Sequence, residues 1–349
     1  MRPPLSIVFC FRPNVFYSRA SLSVFRAPLL ALLACCLFVN SAPAAENFAI
    51  AEASGVVRSG DELLIVDDGQ RGAYFRVPLR GRKGPVIPFD LSAVESVQLP
   101  YGNLVADMES IEVLGDGRVI VLSERLRALF GPDGVVASYD APLAEFGKRG
   151  LEGLAVRAMP DGSSRVAVLW EGGYPDYQHV PAQLRRKVGR EAMRPIVLIH
   201  TLDPGDADIL VRSPNFIELH VPRPKGRAPR AQRFRAPDLV WRREADGAWG
   251  FIVLMSSFNS KGDRKYEYHW LQRFSRGGKP IGAPLDIDLI VPPEWKATNW
   301  EGLAWFEENE SLVLVNESHP KPVGVAFVVQ LPNDWKFRES EAPRVSDGR

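Results

Sequence analysis

Cysteine is nearly absent from this chain of 349 residues: there are three, Cys10, Cys35 and Cys36. The rest of the chain has neither disulfide nor thiol chemistry, so its stability rests on the size of its core. Histidine is scarce as well, at 179, 200, 220, 269 and 319 only, which leaves oxygen atoms as the ligands for any metal. Neither sign of charge predominates: 43 Lys and Arg stand against 42 Asp and Glu, and this excludes capture of nucleic acid by bulk electrostatics. No G-x-S-x-G elbow, H-E-x-x-H, P-loop or G-x-G-x-x-G is found, so serine-hydrolase, zinc-protease, nucleotide-phosphate and dinucleotide chemistry have no motif behind them. What remains, 46% hydrophobic and 24% charged residues, is the composition of an ordinary globular protein.

The first segment differs in kind. Arg2, Arg12, Arg19 and Arg26 are its only charges before Glu46, and Ala27 to Val39 is almost unbroken apolar sequence, shorter than the roughly 20 residues that span a bilayer. Small residues at Ala42 and Ala44 follow, the order expected of a signal peptide over 1–45 cleaved near Ala44 or Ala45. "LLAC", Leu32 to Cys35, is a weak lipobox that would instead leave a lipid anchor on Cys35. Cleavage removes four Arg and no acid, leaving 39 basic against 42 acidic residues in a periplasmic or secreted chain.

Past residue 46 the sequence reads as short β-runs separated by turn signals, with helical periodicity confined to 181–194. One arrangement recurs in "DMESIEVLGDGRVIVLSER" (107–125), "GLEGLAVRAMPDGSSRVAVLWEGG" (150–173) and "NWEGLAWFEENESLVLVNES" (299–318). In each, a glutamate opens an apolar run, a turn follows, and a second glutamate closes the return run. Asp-Gly between β-branched runs predicts hairpins. A hairpin brings its two ends together, so Glu109 should neighbour Glu124, Glu152 should neighbour Glu171, and Glu301 should neighbour Glu317.

Two weaker copies have Ser54 and Pro237 in the opening place. They close in Asp67-Asp68 and Met255-Ser256-Ser257. Five units of about 50 residues predict an all-β fold, a β-propeller of five blades over 46–335, or six if the basic insertion 174–235 contains another. Residues 336–349 form a polar tail. The opening glutamates then crowd one mouth of the central channel, where like charges raise each other's pKa unless a cation neutralises them. Oxygen ligands select Ca²⁺ or Mg²⁺. Gly153 and Gly302 read as close-packing positions near the axis.

On these motifs the chain resembles the phytase-like propeller family named for an "esterase-like activity of phytase", in which D-x-E-[GS]-[IL], G-[FL]-E-G-L-A and N-x-E-G-L-A recur in this order. The resemblance covers most of residues 50–331. It implies an exported, metal-binding propeller with hydrolytic activity on esters or phosphoesters. On the hairpin geometry Glu109, Glu152 and Glu301, with Glu124, Glu171 and Glu317 beside them, are the candidate metal ligands; the alternative is that the opening glutamates accept backbone N–H bonds at blade junctions. The chain departs from the family in its fourth hairpin, which ends "VLMSSF" where an acidic Glu-Arg type motif is common.

The stretch "RPKGRAPRAQRFR" (223–235) holds six basic residues and no acid. Leaning over an acidic mouth, Arg227, Arg230 and Arg233 would hold an anionic or polyphosphorylated substrate; as a solvated loop the stretch would do nothing specific. His319, next but one after Glu317, is a candidate acid or base. Two readings compete with this one: a non-catalytic binding propeller with a structural cation, which the altered fourth hairpin favours, and a lactonase of the gluconolactonase-like kind. A monomer and a small-molecule substrate are expected.

Overall fold

The computed structural model describes residues 50, 52–81, 84–89, 93–100, 102, 104–139, 150–172, 194–212, 214–222, 233–244, 246–258, 266–293, 299–317 and 324–336. The expected leader with Cys35, residues 181–193 of the stretch 181–194, Arg227, Arg230, His319 and the tail from residue 337 lie outside these residues.

Five sheets, antiparallel except for one strand pair, follow one another along the chain. The first begins with β1 (Ala53–Ser59), β2 (Glu62–Asp67) and β3 (Ala73–Pro78); β4 (Val86–Pro88) leaves it, and β5 (Glu95–Gln98) returns to complete it. The second contains β6 (Met108–Val113), β7 (Val119–Ser123), β8 (Ala128–Gly131) and β9 (Gly134–Tyr139). The third contains β10 (Leu151–Ala158), β11 (Ser164–Trp170) and β12 (Ile196–Leu202); β13 (Ile209–Val211) departs to pair in parallel with β9, and β14 (Asn215–Glu218) closes the sheet. In the fourth, β15 (Arg233–Arg235) and β16 (Leu239–Arg243) share one partner, β17 (Trp249–Phe258), with β18 (Tyr266–Phe274) and β19 (Pro280–Asp286) outside. The fifth runs β20 (Asn299–Glu307), β21 (Ser311–Glu317), β22 (Val325–Gln330) and then β4.

Local chemistry makes the hairpins. Gly117, Gly162 and Gly247 have φ of 87°, 84° and 79°, a region open to glycine at no steric cost. The aspartate before each accepts a backbone N–H two residues on: Asp116 from Arg118, Asp161 from Ser163 and Asp246 from Ala248. The same turn is thus written three times.

The hairpin strands of each blade are buried along most of their length rather than alternating, unlike β3, which alternates; "SRVAVLW" in β11 is buried at every position but one. That is the pattern of sheets packed between neighbours. The core consists of five apolar clusters, each spanning two adjacent sheets. Val57 and Ile111 join the first to the second; Leu122 and Leu154 join the second to the third; Ala167 and Phe251 join the third to the fourth. Leu254 and Leu303 join the fourth to the fifth, and Val313 and Ile65 join the fifth to the first. Five sheets with five interfaces form a closed ring, whereas an open row would have four. The fold is a five-bladed β-propeller, and 174–235 adds no sixth sheet among the described residues. Its parts from β12 to β15 belong to the second, third and fourth blades. β4 on β22 fastens the last blade with a strand from the first. No helix among the described residues is long and apolar enough to cross a membrane.

Candidate functional site

The innermost strands carry the site, and an irregularity in their pairing aims it. Ala53 pairs with Asp67 but Gly55 with Val66; Met108 pairs with Ser123 but Ser110 with Leu122. Likewise Leu151 pairs with Trp170 but Gly153 with Leu169, and Trp300 with Asn316 but Gly302 with Val315. Each ladder slips at one level, and the residues left over are Ser54, Glu109, Glu152 and Glu301, the opening positions of the sequence repeat. A bulge drops its residue from the ladder and re-aims the side chain. In the fourth blade Ala236–Asp238 bridge the same level, between Arg235 opposite Ser256 and Leu239 opposite Val253. Pro237 fits there because a bulged position has no ladder bond to donate.

The residues that follow the bulges are Gly55, Ser110, Gly153, Asp238 and Gly302. They bring neighbouring strands into backbone contact. A Cβ on Gly55 would lie 2.4 Å from Ser110 Cα, and one on Gly153 would lie 2.8 Å from Asp238 Cα. The close-packing role expected of Gly153 and Gly302 is met. The Asp238 carboxylate, fully buried, accepts N–H bonds from Leu154, Leu239 and Leu303 and so ties three blades together. Burial raises its pKa well above the carboxylate range, and these donors offset only part of that rise.

Beside this layer lie the acids. Glu109, Glu152 and Glu301 are 8%, 9% and 8% exposed. Burial pushes Glu109 and Glu152 well above the carboxylate range, helped by neighbouring charges, and Glu301 up to about 7. The hairpin partners are among those charges: Glu124 acts on Glu109, Glu171 on Glu152 and Glu317 on Glu301. Gly150 leaves room for Glu124, whose side chain a Cβ would strike. The first blade adds Asp68, hydrogen-bonded to Glu52 and raised to about 8, first by burial. Its neighbour Asp67 accepts the Glu52 N–H.

One residue inside this group carries the opposite sign. Arg235, from the end of β15, places Nε 3.1 Å from Glu171 Oε2 and Nη2 2.9 Å from Glu301 Oε1 and 3.4 Å from Glu152 Oε2. A guanidinium from the fourth blade therefore bridges acids of the third and fifth. Asn299 donates from Nδ2 to both Glu301 and Glu317, while its Oδ1 is buried without a partner among the described residues. Trp300 is core, fully buried, and Trp305 donates its indole N–H to Trp241 O.

The structure thus gathers the expected glutamates at one end of the ring. Arg235, Asn299 and Glu52 were missed by the sequence reading, which had Asp68 only as a closing residue of the first unit. Arg235 had a signal of its own, since it directly precedes the hairpin that lacks both acids. Arg233 heads β15 on the same short strand. Among the described residues no three His, Cys, Asp or Glu already stand as a group that could hold a metal ion.

No family model matches the chain, and no curated protein matches it. Among solved structures, endo-arabinase from Bacteroides thetaiotaomicron is 13% identical over 82% of this chain and 99% of its own, with a TM-score of 0.40. The calcium-binding protein regucalcin from Agrobacterium tumefaciens is 12% identical over 84% and 94%, with a TM-score of 0.38. Virginiamycin B lyase from Staphylococcus aureus is 11% identical over 81% and 96%, with a TM-score of 0.37. Likeness this distant says nothing about chemistry, and the five-bladed ring rests on the strand pairings of this chain.

Proposed function

We propose that this chain is a phytase-like propeller, periplasmic or secreted, that binds a divalent cation at its acidic end and hydrolyses an ester or phosphoester there. The observation that carries the reading is Glu109: more than nine-tenths buried, and facing the charges of Glu152, Glu301, Glu124 and Asp68. A carboxyl group so placed must keep a proton or meet a cation. The donors around it are all oxygen, which suits Ca²⁺ and, less well, Mg²⁺.

Glu109 and Glu124 with Asp68 would hold the ion, and Glu152, Glu171, Glu301 and Glu317 would extend its negative surroundings. When bound, such an ion polarises an ester and lowers the pKa of a bound water. The rest falls to the chain. Glu301, with a pKa of about 7, changes protonation near neutral pH and can pass a proton at its carboxyl oxygens. Arg235 and Asn299 hold that carboxyl in place. Arg227, Arg230 and Arg233 would steer an anionic substrate toward it.

Calorimetric titration of chelator-stripped protein tests the reading. Glu109→Gln should bind Ca²⁺ at least about tenfold more weakly than wild type while melting no lower in chelator, and chelator should abolish turnover of phosphomonoesters or carboxylesters. Unchanged affinity in this variant would sink it. The alternative, a non-catalytic binding propeller, is favoured by Arg235, which already compensates part of the acidic group; a protein that holds Ca²⁺ yet turns over neither ester class would support it.

A further inference from the structure

The fourth blade departs from the other four in a coordinated way. It has Pro237 where three blades place an acid, and Met255-Ser256-Ser257 where the others close in Glu or Asp. At the same level it delivers Arg235. The guanidinium is 14% exposed and meets three carboxylates drawn from two other blades. The blade that lacks both hairpin-end acids is the one that supplies the positive charge.

We propose that Arg235 is a built-in counter-cation occupying a latent divalent-cation site formed by Glu152, Glu171 and Glu301. Two observations beyond the acids support this. The amide of Asn299, only 1% exposed, contacts Glu301 and Glu317 through Nδ2 yet leaves Oδ1 without a partner among the described residues. Ser256, opposite Arg235 in the ladder and fully buried, likewise has an Oγ without one. Both are neutral oxygens of the kind that completes a Ca²⁺ shell alongside carboxylates. The ion pairs of the Arg235 guanidinium go to the three carboxylates, and both neutral oxygens stay without a partner among the described residues. The inference rests on the acidic end being a cation-binding end, as proposed above, but it assigns the Arg235 side to the chain's own cation and leaves an added ion to the Glu109 side.

The test is Arg235→Met, which keeps length and removes charge, compared with wild type and Arg235→Lys by calcium calorimetry and by melting with and without chelator. The expected result is one additional Ca²⁺ site in Arg235→Met, or an affinity at least about tenfold tighter, together with a melting temperature that Ca²⁺ raises more than it raises that of wild type. If Arg235→Met refolds poorly, its refolding yield becomes the readout, and rescue by Ca²⁺ supports the proposal. Arg235→Lys, which keeps one positive charge, should gain no site. Equal calcium stoichiometry, affinity and calcium-induced stabilisation in Arg235→Met and wild type would overturn it, as would a refolding defect indifferent to Ca²⁺. The two ideas separate: loss of binding in Glu109→Gln with no gain in Arg235→Met leaves only the cation-dependent function standing, and gain in Arg235→Met with no binding by wild type leaves only the latent site.

Discussion

A carboxyl group taken out of water is either paired or protonated, and single residues around this axis show both outcomes. Glu171 and Glu301 are paired with Arg235. Glu112, on β6, instead accepts the N–H of Val113 and, at 3.4 Å, that of Val156 on β10, and burial still lifts its pKa from 4.5 to about 8. Its folded pKa lies above its unfolded one, so the folded protein holds the extra proton between those values. The stability this contributes is complete below pH 4.5 and is lost as pH rises through about 8. Glu112→Gln keeps the acceptor oxygen and removes the titration. The melting temperature of wild type should therefore fall more steeply across this range than that of Glu112→Gln; parallel curves would show that Glu112 is ionised in the folded protein. At this scale the sequence was partly legible. Repeated glutamates at hairpin ends announced their own pairing, whereas the partner of Arg235 depends on other blades.

At the scale of the element, the bulge and the small residue after it form one device. The bulge aims the acid, and the glycine lets the next inner strand approach. A Cβ on Gly302 would lie 2.5 Å from Val315 Cγ2, 2.9 Å from Ser54 O and 3.0 Å from Gly55 Cα. Two of these three neighbours are backbone, which cannot step aside as a side-chain tip can. Gly302→Ala should cost about 1–3 kcal/mol of stability, read as a lower denaturant midpoint at unchanged slope. An unchanged midpoint would mean that the strands can part without loss. The E-G-L-A and E-S-I sequences made this device legible, since the small residue follows the acid wherever the acid is present.

At the scale of the whole molecule, closure decides stability. β4 leaves the first blade to pair with β22 of the fifth, where Ile87 opposes Ala326 and is 2% exposed in the cluster joining the fifth blade to the first. Ile87→Asp places a charge in that apolar interface and loosens the clasp, at a cost of about 3 kcal/mol or more. Amide exchange should accelerate first in β22 and β21, ahead of β10 and β11. Uniform acceleration would mean that the ring opens as a single unit and that β4 is no separate fastening.

By itself the sequence determined the hairpins, their turns, the five repeats and the placement of acids at strand ends. These are local matters: Asp-Gly chemistry sets the turn, and the turn sets the register within a few residues. Tertiary structure alone decided which strands change blades. β4 and β13 are three-residue strands, too short to show a preference for a partner. It also decided what neutralises the acids. Arg235 meets Glu152 and Glu301 across separations of 83 and 66 residues, and such contacts depend on the curvature of the ring, which no local pattern encodes.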